Sequence, residues 1–204
     1  SDVDKVVVAV PTKLLQNQIM NQEAKALSDV FNINFHSLKG PQNYIKLDAF
    51  YQTLLRQDSN RLINRYKMQL LVWLTETETG DLDEIRQKQR YMAYFDEIKH
   101  DGKLKADSLF AEYDFWQQSY QKAQEARVVV TNHAYLLTRM EDDHDFVRGK
   151  TLVIDEGQKM VLALEQFSRH QVNLTVLLQH IHRILDSGSQ SLLQQRLLEN
   201  LQFE

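Results

Sequence analysis

The chain contains no cysteine. That excludes a disulfide framework, a thiolate zinc site and an iron–sulfur cluster held by thiolates. It also suits a reducing compartment, so the expected location is cytoplasmic. Glycine and proline are scarce, six and two among 204 residues, which excludes a collagen-like or low-complexity chain. No apolar run approaches the roughly 20 residues that a membrane-spanning helix needs. The opening SDVDKVVVAV lacks the basic region and long apolar core of a signal peptide. An excess of positive charge is missing too. The net charge is −4 and gives no global sign of a nucleic-acid partner. Residues 39–67 differ locally: Lys39, Lys46, Arg56, Arg61, Arg65 and Lys67 stand against Asp48 and Asp58. On charge alone such a run describes a solvated helical face.

What is present is enough apolar material for a core, 43% of the residues. Four short runs read as strands: KVVVAV at 5–10, FNINFH at 31–36, RVVVTN at 127–132 and TLVIDE at 151–156. Pro11 and Thr12 open a helical pattern carrying Leu15, Ile19 and Leu27. In the long interval before the third strand, Leu47, Phe50, Leu54 and Leu62 fit one helix, which Tyr66, Leu70 and Trp73 continue or restart. A polar stretch with Gly80 reads as a turn. Ile85, Met92, Phe95 and Ile98 suggest another helix, and Tyr113, Trp116, Tyr120 and Ala123 a fourth. After Gln158 the pattern is helical again, with Leu174, Leu177, Ile181 and Leu185 on one face, a break at 186–190, and a further helix from Leu192. The expected fold is α/β and predominantly helical: a partial parallel sheet, a large all-helical insertion and extra C-terminal helices. Functional residues then belong at the carboxyl ends of the strands. A chain that starts in a strand and stops in a helix reads as a fragment of a longer protein.

The stretch RGKTLVIDEGQK, 148–159, offers two ATPase-like signals back to back. Gly149-Lys150-Thr151 has the ending of a phosphate loop, but the leading glycine position is His144 and the segment runs into a strand instead of opening a helix. It is a turn. Asp155-Glu156 passes the same test of context, because Leu152, Val153 and Ile154 deliver two carboxylates to a strand's end. There, an aspartate can help hold Mg²⁺ and a second carboxylate can activate water. The competing explanation is an acidic pair favoured at a helix N-terminus. Elsewhere, His180 and His182 do not share a helix face, and the acidic segment 141–145 lacks calcium-loop spacing.

The neighbours of that pair resemble the XPD/DinG-type helicases of superfamily two, nearest to the DinG side. VVVAVPTKLLQNQ (6–18) is similar to the strand, threonine and helix that follow the phosphate loop in that family. LKGPQNY (38–44) is similar to its L-K-G-x-x-N-Y segment, ARVVVTNHAYLL (126–137) to its T/V-N-H-x-L-L segment, and LVIDEGQKM (152–160) occupies the place of its D-E-A-H box. The order and spacing agree over roughly residues 1–160. The resemblance implies that 1–38 and 127–160 form part of a RecA-like motor domain, that 39–126 is equivalent to the family's iron–sulfur domain, and that 161–204 starts a helical arch domain. It implies Mg²⁺ and ATP as cofactors of the full-length parent. Asp155 would be the metal-holding carboxylate and Glu156 the water-activating one, with Gln158 beside them. It implies single-stranded or forked DNA as partner, together with a second motor domain of the same chain. Thr12 would meet a DNA phosphate, Asn132 and His133 would face the DNA or the interdomain side, Lys39 and Lys46 could track a backbone and Tyr44 could stack a base. Each has a plainer alternative: Thr12 as a helix cap, His133 as a satisfied helix-end histidine, Tyr44 as core.

Two departures matter. The box reads Asp155-Glu156-Gly157-Gln158, so glutamine replaces the histidine that helps couple nucleotide and DNA sites in the family. Glutamine can hydrogen-bond but cannot titrate. The cluster's first and last cysteine positions are Lys46 and Asp114, so no iron–sulfur cluster is expected. These losses motivate a second reading, a degenerate helicase module serving as a DNA- or protein-binding scaffold. Its client would be a linked exonuclease domain such as precedes the helicase region in some bacterial relatives.

Overall fold

The computed structural model describes residues 5–56, 58–85, 92–103 and 107–168. The helices expected over 174–201 lie outside them. A first compact unit runs to Leu164. Its centre is a four-stranded, all-parallel sheet of order β2-β3-β1-β4. The strands are β1 (Val6–Val10), β2 (Phe35–Ser37), β3 (Val128–Asn132) and β4 (Thr151–Ile154). The β-branched runs make the two central strands. Val7, Ala9 and Val10 are fully buried and Val130 nearly so, as suits parallel strands covered on both faces. At the edge, β4 is less covered, with Val153 and Ile154 exposed. Gly149, at φ 70°, turns the chain into it.

Helices α1 (Lys13–Asn21) and α2 (Glu23–Phe31) link β1 to β2. The second strand lies later than its alternation suggests. Phe31 ends α2, and Asn32 adopts the left-handed conformation (φ 51°) with its N–H on the Ser28 carbonyl. Asparagine tolerates that conformation better than most residues, and it stops helices.

The expected helical insertion follows β2. It contains α3 (Leu47–Leu55), α4 (Arg61–Leu74), α5 (Met92–Ile98) and α6 (Phe115–Glu125). Leu62 does not continue the helix of Leu47. The chain turns extended at Arg56, and Asn60 caps α4 by accepting the Leu62 N–H at 2.9 Å. The buried Lys67 ammonium donates to the Thr53 and Arg56 carbonyls and pairs with Asp58 at 2.6 Å, satisfying carbonyls where α3 ends. Ile45, Phe50, Leu70, Tyr94, Phe95 and Ile98 form the insertion's own apolar core. A second core, around Val7, Leu38, Val129 and Leu136, packs on the sheet. Helices α7 (His133–Asp142) and α8 (Gly157–Ser168) follow β3 and β4. Among the described residues no helix is long and apolar enough to cross a membrane.

Candidate functional site

Three adjacent strands end at one edge of the sheet. Val10 pairs with Asn132 and Ala9 with Ile154, so Thr12, Asn132-His133 and Asp155-Glu156 all follow the same row of strand ends. Parallel strands place their carboxyl ends together, and ligand sites form there.

Thr12 is exposed and caps α1, its Oγ1 accepting the Leu15 N–H at 3.2 Å. The cap uses an oxygen lone pair and leaves the hydroxyl hydrogen free to donate. Asn132 is buried and caps α7 in the same way, accepting from the Tyr135 N–H at 3.0 Å. Its amide nitrogen donates to Gln16 Oε1 at 3.2 Å. Gln16 is wholly buried, and its own amide reaches the Ser37 hydroxyl and the carbonyls of Leu38 and Val130. Sequence reasoning passed over Gln16. The available signal was its position beside Leu15 and one turn before Ile19 and Met20, on the inward face of α1.

His133 is turned inward, 1% exposed, with Nε2 3.0 Å from the Asp155 carbonyl oxygen. It does not face solvent. The Asp155 carboxylate is exposed and no described side chain engages it. Glu156 is half-buried, ion-paired with Lys159 at 2.7 Å, and carries a left-handed backbone (φ 49°). Gln158 is exposed.

The other nominated residues sit in the insertion and are engaged. Lys39, 3% exposed, pairs with Asp81 and lies 3.5 Å from Asp83. Lys46 pairs with Asp101 at 2.5 Å. That pairing lowers the Asp101 carboxyl to about 2. Tyr44 is core, 3% exposed, its hydroxyl 2.9 Å from Ser119 Oγ, and burial pushes its phenol up to about 12. Ser119 also meets His36 Nε2 at 2.9 Å. Burial, then the charge of Lys122, lowers the His36 pKa. Arg56 is tied to Glu97 and Asp58, whereas Arg61 and Arg65 remain exposed on α4.

Lys46 and Asp114 are far apart in sequence, yet both line one small recess. Asp114 accepts from His100 Nε2 at 2.8 Å and caps α6 through the Gln117 N–H. The Gly102 N–H donates to His100 Nδ1 at 2.9 Å, fixing the ring from its other side. Burial raises the Asp114 pKa, but the His100 and Gln117 hydrogen bonds and the nearby Lys46 charge outweigh it, leaving a net lowering. An open cavity of about 820 Å³ borders Pro11, Asn132 and the insertion. Its four basic residues, Lys13, Lys99, Lys103 and Arg139, are matched by as many aspartates. Among the described residues no group of three or more His, Cys, Asp or Glu side chains is placed to hold a metal ion.

No family model matches the chain. Over 157 residues, 76% of its length, it is 31% identical to the protein named 3'-5' exonuclease DinG of Staphylococcus saprophyticus. It is equally similar to the proteins of that name in two strains of Staphylococcus aureus. The chain spans 17% of the length of these curated relatives. The extent and identity of the match support a DinG-like family relationship for this chain.

Proposed function

We propose that the chain is part of a DinG-type, ATP-dependent DNA helicase or translocase, and that its sheet edge contributes the carboxylates of the ATPase site. One observation carries this reading: Asp155 and Glu156 leave the end of β4 in the same row as Thr12 and Asn132. The donor set suits Mg²⁺, a hard cation that takes one or two protein carboxylates and completes its shell with water and phosphate oxygens. The unengaged Asp155 carboxylate would hold it. Bound Mg²⁺ neutralises charge on the phosphates during transfer. Glu156, steadied by Lys159, would orient the attacking water and take its proton. The free hydroxyl hydrogen of Thr12 suits a DNA phosphate, and Arg61 and Arg65 offer exposed cations. Lys39, Lys46 and Tyr44 would reach DNA only by giving up their present partners. A second motor domain would complete the machine from the remainder of the parent.

The exonuclease in the relatives' name favours a second component. Three or more metal-ligating side chains, as a two-metal nuclease would use, do not gather among the described residues, so we assign nuclease chemistry to sequence outside them. The scaffold reading keeps the same fold with idle carboxylates, and Gln158 favours it.

The test is ATP hydrolysis by the intact protein that carries this chain, with and without single-stranded DNA, beside Glu156→Gln. Turnover stimulated by DNA and reduced at least ~100-fold in the variant supports a motor. A folded protein with equal, negligible turnover in both replaces it with the scaffold.

A further inference from the structure

The turn that carries the two carboxylates is held from behind. The Asp155 N–H donates to the Ala9 carbonyl at 2.9 Å, fixing the turn to β1. The Lys159 N–H donates to the Glu156 carbonyl at 2.7 Å and starts α8. Between these anchors the Asp155 carbonyl points at His133 Nε2, 3.0 Å away. A carbonyl only accepts, so Nε2 carries the hydrogen. With the imidazole 1% exposed, water cannot readily replace it. The next residue, Glu156, has the left-handed backbone that side chains rarely adopt and that persists only where surrounding structure enforces it.

His133 also belongs to a second set of contacts. It is the first residue of α7, directly after Asn132. Asn132 is joined to Gln16, and Gln16 to the Val130 and Leu38 carbonyls and, through its N–H, to the Thr12 carbonyl. The Asn132–His133 peptide bond thus joins two sets of buried hydrogen bonds, one reaching the α1 cap through Gln16 and the other the backbone of the carboxylate turn.

We propose that His133, at the start of α7, is the positioning residue of the Asp155–Glu156 turn and joins it to the Gln16–Asn132 network. The proposal rests on the ATPase reading of the carboxylates for its functional half, and on geometry alone for its structural half.

The two halves are tested separately in the intact protein. His133→Leu removes the donor; His133→Gln returns an N–H at similar reach. Amide hydrogen exchange of 154–160 is expected to quicken roughly tenfold or more in His133→Leu, with β1 and β3 unchanged, and to recover in His133→Gln. DNA-stimulated kcat is expected to fall roughly tenfold or more with KM for ATP nearly constant, and again to recover in His133→Gln. Unchanged exchange over 154–160 in His133→Leu overturns the proposal, as does a His133→Gln variant no better than His133→Leu. If His133→Leu does not fold, the nitrogen chemical shifts of His133 in the unaltered protein decide: an Nε2–H form supports the proposal and an Nδ1–H form overturns it. Absence of DNA-stimulated hydrolysis in the unaltered protein defeats the ATPase reading, while the exchange result still judges His133.

Discussion

Asp101 is held ionised by one neighbour. The Lys46 ammonium, with help from the Lys103 N–H, takes its carboxyl from 3.8 to about 2. A depressed carboxylate contributes stability that is present above its unfolded pKa and lost as pH falls through the folded one, here between about 4 and 2. Asp114, also lowered, acts in the same direction. Removing the ammonium should raise the acid midpoint, so Lys46→Met is expected to unfold at higher pH in an acid titration followed by circular dichroism. An unchanged midpoint would show that the pair contributes nothing. None of this was legible in the sequence. Lys46 reads as a free cation in a basic run because its partner lies 55 residues away, and Lys39 misleads likewise with Asp81, 42 residues off. Local charge counts cannot see partners brought by the fold. Thr12 was legible, because a cap depends only on the next turn of helix.

At the scale of elements, legibility followed burial. Val6–Val10 and Val128–Asn132 are short, largely β-branched runs ending at Pro11 and at polar residues, and their length and composition mark them as buried strands. Leu62 failed as a continuation of α3 because apolar spacing runs on through a break made by Asn60, whose cap outweighs the pattern. Gly80 marks the turn it was read to mark, for a reason composition does not reveal. Its φ is 64°, and a Cβ there would run into the Phe115 ring. Its carbonyl accepts the Ile45 N–H at 3.0 Å, so the turn fastens α6 to the start of the insertion. Gly80→Ala adds left-handed strain and an overpacked contact, together about 2–4 kcal/mol. Chemical denaturation should show that loss with little change in slope; a loss under ~0.5 kcal/mol would mean Phe115 moves freely aside.

For the molecule as a whole, two apolar cores share one compact unit. One lies on the sheet, the other inside the insertion. Apolar packing in the insertion is joined by ion pairs, Lys39 reaching from the end of β2 to Asp81 and Lys46 to Asp101. Leu70→Ala in the insertion core and Leu136→Ala on the sheet should each cost about 2–5 kcal/mol, both displacing a single unfolding transition. Two transitions, with Leu70→Ala moving only one, would mean the cores melt independently. The row of parallel strand ends at the sheet edge was legible in the sequence; His133 takes the plainer of its two readings, a satisfied helix-end histidine, and turns inward. Glu156 shows what that edge demands of the whole. At φ 49° a glycine would sit there more easily than a glutamate, so every folded copy carries a small conformational penalty for keeping a carboxylate on the turn. Selection for thermal tolerance alone would drift toward glycine at 156 and discard the acid. A glutamate retained there across variants of this chain would therefore record a demand other than stability.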